Sequence, residues 1–283
     1  MVENRPLADF ITHLVLVLGV IAIALPIWIT FVAASHDEIR MAQAPLPLWP
    51  GDQLWVNLKQ TLFGEGLSGT ESAPVWLMLF NSLFMALMIS FGKIAISLLS
   101  AFAIVYFKFP FRMACFWMIF ITLMLPVEVR ILPTFEVVAN LGMLNSYWGL
   151  SIPLIASATA TFMFRQVFLT VPDEMLESAR IDGAGPMRFF WDILLPLSRT
   201  NIAALFVILF IFGWNQYLWP LLITTDTSMT TIVMSIKQML EAAEQSPQWN
   251  IIMMTALLAM IPPIFVVISM QKLFVQGLTE TDK

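Results

Sequence analysis

Charged residues are scarce in this chain, so those that cluster or stand alone are the ones whose chemistry can be interpreted. Acidic and basic side chains are concentrated in the segment Glu177-Ser-Ala-Arg-Ile-Asp-Gly183, which lies between two long apolar runs. Lys93 stands alone inside another apolar run. A charged segment of this kind suits contact with another protein, whereas a lysine within an apolar run must face protein or water. Both patterns are therefore candidates for recognition through charge, to be weighed against a structural role.

The residues that build metal centres and nucleophilic sites are nearly absent. The chain has two histidines, His13 and His36, and one cysteine, Cys115. These exclude a His-rich metal site and a disulfide within the chain. The net charge of −5 and the scattered basic residues argue against nucleic acid as a partner. We therefore expect no catalytic residue, no metal and no cofactor bound by this chain.

The elements that position the charged residues are apolar. Hydrophobic residues make up 59% of the chain and charged residues 12%, with a mean hydropathy of +0.84, so a soluble domain would lack its polar shell. Crossing a ~30 Å hydrocarbon core takes roughly 20 apolar residues. Six runs qualify, at about residues 14–34, 76–107, 113–132, 147–168, 202–223 and 251–274. The sequence predicts an all-α integral membrane protein with six transmembrane helices in a single domain, residues 1–283.

The orientation of the chain follows from its basic residues. The first run exceeds the apolar core of a signal peptide, roughly 7–15 residues, so we expect an uncleaved helix. The positive-inside rule places the N-terminus in the cytoplasm. Most Lys and Arg residues then lie on that side, namely Arg5, Lys108, Arg112, Arg165, Arg180, Arg188, Arg199, Lys272 and Lys283. Both termini and the loop 170–200 are predicted to be cytoplasmic, and the loop 35–74 periplasmic.

The loop 170–200, here called the elbow, has the signals of two short helices joined by a turn. Thr170 is predicted to cap the first helix, with Pro172 and acidic residues in its first turn. That helix should run to about Asp182, and Gly183 should supply the turn. A second helix is expected to start at Pro186 and to end near residue 196.

The elbow has two interpretations on physical grounds alone. Small side chains at Ser178 and Ala179 let another surface come close, and Glu177 and Arg180 offer charged contacts. Such a rigid unit could dock in a groove of a cytoplasmic protein and transmit a push. An ordinary helical hairpin between two membrane helices is equally compatible with these residues.

The spacing of residues in the elbow resembles the EAA signature of ABC importer permeases. In that signature E-A-A, three residues, Gly, nine residues and I-x-L-P mark the loop that docks on the ATPase. The matching residues are Glu177, Ala179, Gly183, Ile193, Leu195 and Pro196, and Ser178 replaces the central alanine. The resemblance implies that the ATPase is coupled through Glu177, Ser178, Ala179, Asp182, Gly183, Ile193 and Pro196.

A wider resemblance covers the whole chain. The segments VENRP (2–6), LMLPVEVRI (123–131), ASATATFMFRQ (156–166), ARIDGAGPMRFF (179–190) and GWNQYLWPLL (213–222) are similar to MalG-type permeases of bacterial sn-glycerol-3-phosphate importers. This implies the type I importer permease fold in the bacterial inner membrane and alternating access. The implied partners are a second permease, an ATPase homodimer that binds ATP and Mg, and a periplasmic substrate-binding protein.

The cargo implied by this resemblance is sn-glycerol-3-phosphate, and glycerophosphodiesters are a further candidate. A sugar or oligosaccharide as cargo is the alternative, because most MalG-type relatives carry sugars. An integral-membrane enzyme is a remote alternative, since the cytoplasmic acids lie largely in the elbow and the histidines are predicted on opposite sides. The chain has no G-x-x-x-x-G-K-[ST] motif of its own.

Lys93 belongs to a stripe of small and hydroxyl side chains. At 100° per residue, Ser82, Ala86, Ser90, Lys93, Ser97 and Ser100 fall within an arc of about 80°. The stripe is typical of a helix-packing or cavity-facing surface. Lys93 either attracts a phosphate-bearing solute or is a packing lysine, and the packing interpretation is favoured. The other candidates for the substrate pathway are Asn81, Arg130, Asn215 and Gln216.

Overall fold

The computed structural model describes residues 6–64, 73–122, 125, 127–243 and 248–279. Every regular element within them is a helix. The helices are α1 (Pro6–Ala34), α2 (Glu38–Met41), α3 (Leu54–Phe63), α4 (Val75–Tyr106), α5 (Arg112–Ile121), α6 (Val127–Asn140), α7 (Tyr147–Ser151), α8 (Ala158–Leu169), α9 (Asp173–Ile181), α10 (Pro186–Phe189), α11 (Leu195–Leu197), α12 (Arg199–Trp214), α13 (Leu218–Ile223), α14 (Ile232–Ala242) and α15 (Trp249–Thr279). The expected all-α class is confirmed.

Three of the described helices are long and apolar enough to cross a membrane alone. They contribute the spans Phe10–Ala34, Val75–Tyr106 and Trp249–Leu273. Two bent pairs qualify if each pair is one span: Tyr147–Leu154 with Ala158–Leu169, bent by 50°, and Pro186–Leu197 with Arg199–Trp214, bent by 73°. The predicted second run matches α4 to within one residue at each end. The count of six spans stays a prediction.

The fourth apolar run was predicted as one helix, and this is wrong. After α7 the chain forms a 3₁₀ turn at Ile152–Leu154, and α8 begins only at Ala158. Pro153 has no N–H for the helical bond to Gly149, so that carbonyl instead accepts the indole N–H of Trp219 at 3.0 Å. The Ser157 hydroxyl accepts a bond from the Ala160 N–H and starts the new helix.

The fifth run is also broken, between Trp214 and Leu218. Pro220 explains the break, because its ring would clash with the carbonyl of residue 216 in a continuous helix. In the first turn of α13 the proline needs no N–H donor and is tolerated. Trp219, beside this proline in α13, is buried and only 3% exposed.

The first and third runs differ from prediction at their ends. The first helix begins at Pro6, earlier than residue 14. In the third run α5 ends at Ile121 and α6 is a separate helix that contains Pro133. Pro126, within this run, lies outside the described residues, as do most of the residues in VENRP.

The chain divides into two compact units. The first comprises Met1–Leu77 and Ser235–Ile261. At its centre the Asn57 amide donates to the carbonyls of Ala34 and His36 at 2.8 and 2.7 Å, and its oxygen accepts from Asn250 at 3.1 Å. These bonds hold α3 to the end of α1. The predicted periplasmic loop 35–74 therefore contains ordered helix, which hydropathy alone did not reveal.

The second unit comprises Met78–Met234 and Pro262–Lys283. Its larger apolar cluster joins α4, α8, the elbow and α12, and its largest fully buried side chains are Phe164, Phe168, Phe189 and Leu194. A second cluster includes Met85, Ile89, Val138, Leu150, Trp219 and Ile223. The candidate functional residues all lie in this unit.

Candidate functional site

The elbow turn forms at Gly183, as predicted. Gly183 has φ +75°, its N–H donates to the Arg180 carbonyl at 3.0 Å, and the Ala184 N–H donates to the Ala179 carbonyl at 2.9 Å. These two bonds are the Schellman motif, which needs a residue in the left-handed conformation after the helix. Glycine adopts it without the Cβ clash that penalises other residues.

The predicted role of Thr170 is wrong. Thr170 ends α8, and its hydroxyl donates back to the Val167 carbonyl at 2.7 Å. Pro172 occupies the N-cap of α9 in an extended conformation. Proline disfavours a helical conformation in Val171, the residue before it. The helix α9 therefore begins only after the extended Pro172, at Asp173. The acidic first turn, with Asp173 and Glu174, is confirmed.

The second arm of the elbow is not a regular α-helix. It begins at Pro186 as expected, but Phe190–Leu194 is a π-helical stretch before α11. The Leu195 N–H donates to the Phe190 carbonyl, five residues back. Pro196 explains the wider turn, because it cannot donate to the carbonyl four residues before it and its ring crowds that group.

The elbow packs on its own chain through a buried face. Ala179 is 4% exposed and lies in the apolar cluster with Phe102 and Phe189. The small size of Ala179 therefore serves the fit of α9 onto this cluster, whereas Glu177 and Ser178 point to solvent. Ser178 and Ala179, which the sequence analysis grouped as small residues for close contact with another surface, therefore have different environments.

The solvent face of the elbow combines charge with exposed apolar side chains. Glu177, Ser178, Asp182 and Gly183 are exposed, as is Pro196, while Ile193 is half-buried against the cluster. Exposed apolar side chains in the same region are Met175, Ile181, Met187 and Trp191. Ile181, at 86% exposed, is the most accessible of these. Apolar groups amid charges are typical of a protein-binding surface. The apolar residues within this charged loop are visible in the sequence, and sequence reasoning did not use them.

The stripe around Lys93 is a helix-packing surface. The Ser82 hydroxyl accepts from the Ile232 N–H at 2.8 Å, and the Ser97 hydroxyl accepts from Thr161 at 3.2 Å. A Cβ at Gly213 would lie 2.9 Å from the Ala86 Cα. This close approach of α12 to α4 requires small residues, as in other membrane helix pairs.

Lys93 is buried within this surface. Its Nζ lies 3.7 Å from the centroid of the Phe212 ring, in a cation–π contact. No carboxylate among the residues described pairs with it. The Gln216 amide donates to the Phe212 carbonyl at 3.0 Å, so Phe212 contacts two candidates for the substrate pathway. Sequence reasoning missed Phe212, because one phenylalanine among many carries no signal.

The charge of Arg130 acts on Lys93, but no hydrogen bond among the described residues joins Lys93 to Asn81, Asn215 or Gln216. Asn81 is fully buried, donates to the carbonyls of Ser228 and Thr230 at 2.8 and 3.0 Å, and accepts from the Tyr147 hydroxyl at 2.6 Å. It thus holds the segment after α13 against α4. Arg130 and Asn215 are exposed. A role for these residues in a substrate pathway stays a prediction.

The segment that Asn81 holds is also held by Asn145, which the sequence did not single out. Asn145 has φ +51°, and its side-chain oxygen accepts from the N–H groups of Thr225 and Asp226 at 2.7 and 3.1 Å. The Ser228 N–H donates to the Asp226 carboxylate at 2.9 Å. This bond, with a further one from the Ser228 side chain, lowers the pKa of Asp226 below its ordinary value.

The sequence of this chain matches that of known transport proteins. Residues 93–280 match the family described as binding-protein-dependent transport system inner membrane component. The chain belongs to this family. It is therefore a non-catalytic inner-membrane permease component of a transport system that depends on a binding protein.

The curated relatives are similar over their full length. The sn-glycerol-3-phosphate transport system permease proteins UgpE of Agrobacterium fabrum and Yersinia enterocolitica are 58% and 57% identical to this permease. That of Brucella melitensis is 57% identical. Each alignment covers 100% of both chains.

Solved structures confirm the fold. A bacterial ABC transporter involved in the import of the acidic polysaccharide alginate matches with a TM-score of 0.80 at 18% identity, over 96% of this chain and 98% of that one. A bacterial alginate ABC transporter in complex with an alginate pentasaccharide-bound periplasmic protein matches with a TM-score of 0.58 at 14% identity, over 93% of both chains. At such identities the likeness concerns the fold alone.

Proposed function

We propose that this permease imports sn-glycerol-3-phosphate, with glycerophosphodiesters as further cargo. The observation that carries the proposal is the 57–58% identity, over complete chains, to permeases named for sn-glycerol-3-phosphate transport. ATP hydrolysis drives the import, and the ATP and Mg are bound by a partner ATPase. This chain supplies half of a membrane pathway and the mechanical link to the ATPase.

The working complex contains three further kinds of subunit. A second permease completes the pathway, an ATPase homodimer binds the cytoplasmic side, and a periplasmic protein delivers the solute. The six apolar runs cross the inner membrane, and the bent pair Tyr147–Leu154 with Ala158–Leu169 is one broken span. Both termini and the elbow are cytoplasmic and the loop 35–74 is periplasmic, because that arrangement places most Lys and Arg inside.

The elbow transmits the movement of the ATPase to the membrane helices. Its exposed face, with Glu177, Ser178 and Asp182, docks on the ATPase. On its buried face, Ala179 and Phe189 belong to the same apolar cluster as Phe102 of α4. Because close-packed side chains are nearly incompressible, a displacement of α9 is transmitted to α4 through this contact. Gly183, Ile193 and Pro196 keep the two arms at a constant angle.

The solute passes through a cavity that faces each side of the membrane in turn. Lys93 and Arg130 are the cations available to attract its phosphate, and Asn215 and Gln216 are hydrogen-bond partners for its hydroxyl groups. Lys93 is now held over Phe212, so a change in the packing of α4 against α12 is needed to expose it. Asn81 contributes by holding the segment 228–230 beside α4.

The test is the ATP hydrolysis of the reconstituted complex with binding protein and one of three solutes. We expect sn-glycerol-3-phosphate to stimulate hydrolysis most, glycerophosphocholine to stimulate it less, and maltose to have no effect. Stimulation by maltose alone would refute the phosphate cargo. If no ATPase co-purifies with the chain, the importer assignment itself is wrong.

A further inference from the structure

An open cavity lies between the inner face of the elbow and the end of α4. Its volume is about 400 Å³, within the range of small-molecule sites. The wall from α4 and the residues after it includes Phe102, Tyr106 and Lys108, and the opposite wall from the elbow includes Leu176, Arg180 and Phe189. All lie in the second compact unit. The coupling role proposed for the elbow rests on the packed side chains beside this cavity and assigns no role to the space itself.

The lining combines an apolar body with two positive charges. No acidic residue lines the cavity. Lys108 and Arg180 form no ion pair with any residue that the structure describes, in contrast to Arg188, whose Nε lies 3.3 Å from an Asp192 carboxylate oxygen. The Tyr106 hydroxyl is engaged, since it donates to the Phe168 carbonyl at 3.2 Å. Two free cations above an aromatic wall are complementary to a phosphate attached to an apolar group.

The position of the cavity relates it to the membrane surface. Lys108 follows α4 by two residues, and α4 is one of the helices able to cross a membrane. With α4 across the membrane, the cavity would lie at the level of the lipid headgroups, where basic residues attract anionic lipids. An anionic lipid fits this lining with its acyl chains against Phe102 and Phe189 and its phosphate near Lys108 and Arg180.

We propose that this cavity binds the headgroup of an anionic phospholipid through Lys108 and Arg180. The bound lipid fills the space behind α9 and couples the elbow to α4 more firmly than the protein contacts do alone. The proposal does not depend on the identity of the cargo. A failure of lipid binding therefore leaves the proposed import function standing, and the reverse also holds.

The test uses the full chain, purified with the subunits that co-purify, and native mass spectrometry of bound phosphatidylglycerol and phosphatidylcholine. We expect the unaltered protein to bind phosphatidylglycerol at least tenfold more tightly. The double variant Lys108→Gln/Arg180→Gln should lose that preference. Arg188→Gln is the matched control, because this arginine is exposed on the next helix and does not line the cavity; it should keep the preference.

A further variant tests whether a loss of lipid binding in the double variant reflects a change of fold. Leu176→Trp fills the cavity and leaves both charges in place, and it should also lower phosphatidylglycerol binding at least tenfold. The proposal is overturned if the double variant keeps the full preference or if the unaltered protein binds both lipids equally. Competition by soluble glycerol-3-phosphate without any preference between the lipids would likewise overturn it, in favour of a soluble phosphate ester.

Discussion

Replacing Gly183 by valine should uncouple ATP hydrolysis from transport while leaving the membrane helices folded. A Cβ built at Gly183 meets no atom within 4 Å, so the cost of the replacement is backbone strain rather than a clash. A non-glycine residue in the left-handed conformation costs about 1–2 kcal/mol. If the turn relaxes to relieve that strain, the native elbow becomes roughly 5–30 times less populated relative to the relaxed one.

Gly142 provides a matched control for this experiment. It has φ +67°, meets no atom within 4 Å, and ends α6 with the same pair of hydrogen bonds, from Gly142 to Ala139 and from Met143 to Val138. Gly142→Val should therefore carry the same strain outside the elbow. Gly183→Asn should be milder, because asparagine tolerates the left-handed conformation.

The assay is the ratio of solute taken up to ATP hydrolysed in proteoliposomes, with thermal unfolding measured alongside. We expect Gly183→Val to lower the ratio several-fold, and Gly142→Val to lower the melting temperature similarly without changing the ratio. Equal loss of the ratio in both variants would show that general destabilisation, and not the elbow, is responsible. An unchanged ratio in Gly183→Val would refute the role of the turn in coupling.

Further predictions concern single side chains. Glu177→Lys should weaken ATPase co-purification at least several-fold because the reversed charge opposes the docking surface; unchanged recovery with full uptake would exclude that contact. Lys93→Met, if assembly is normal, should lower uptake of the phosphorylated solute more than ATPase binding; unchanged uptake would leave only the packing role. Asn81→Ala should destabilise the fold, by about 1–3 kcal/mol for each buried group left unpaired, and a melting curve like that of the unaltered protein would contradict this. Because the pKa of Asp226 is lower in the folded protein, its contribution to stability is present above the ordinary carboxyl pKa. That contribution is lost as the pH falls through the lower folded pKa. In Asp226→Asn the melting temperature should therefore fall less steeply with decreasing pH in this range.

Several features of the elbow could be predicted because they depend on local chemistry. Gly183 marks the turn since few other residues adopt a positive φ, and Pro186 marks a helix start since it has no N–H to lose. Thr170 shows the limit of this reasoning. Threonine is a common cap, but Pro172 downstream sets the start of α9, so the proline outweighs the threonine.

The breaks in the apolar runs could not be found from hydropathy. A long window averages over the few residues where α12 ends and α13 begins, and those residues are flanked by apolar ones. The prolines were visible in the sequence. Whether a proline kinks, ends or is tolerated within a helix depends on which groups take up the carbonyl it leaves free, such as the Trp219 indole on Gly149.

The sequence by itself determined that this chain belongs in a membrane, that its charged segment forms an elbow, and that it is a transport component. Apolar content predicts the membrane location, and the spacing of glycine and proline predicts the elbow, because these signals act within one segment. The transport role was implied by the resemblance of the sequence to importer permeases. Tertiary structure decided which side of the elbow is free, since the cluster buries Ala179 and leaves its neighbour Ser178 exposed. It also decided the surroundings of Lys93 and Asn81, whose partners lie far away in the chain. Such contacts depend on how helices pack, and no local pattern records them.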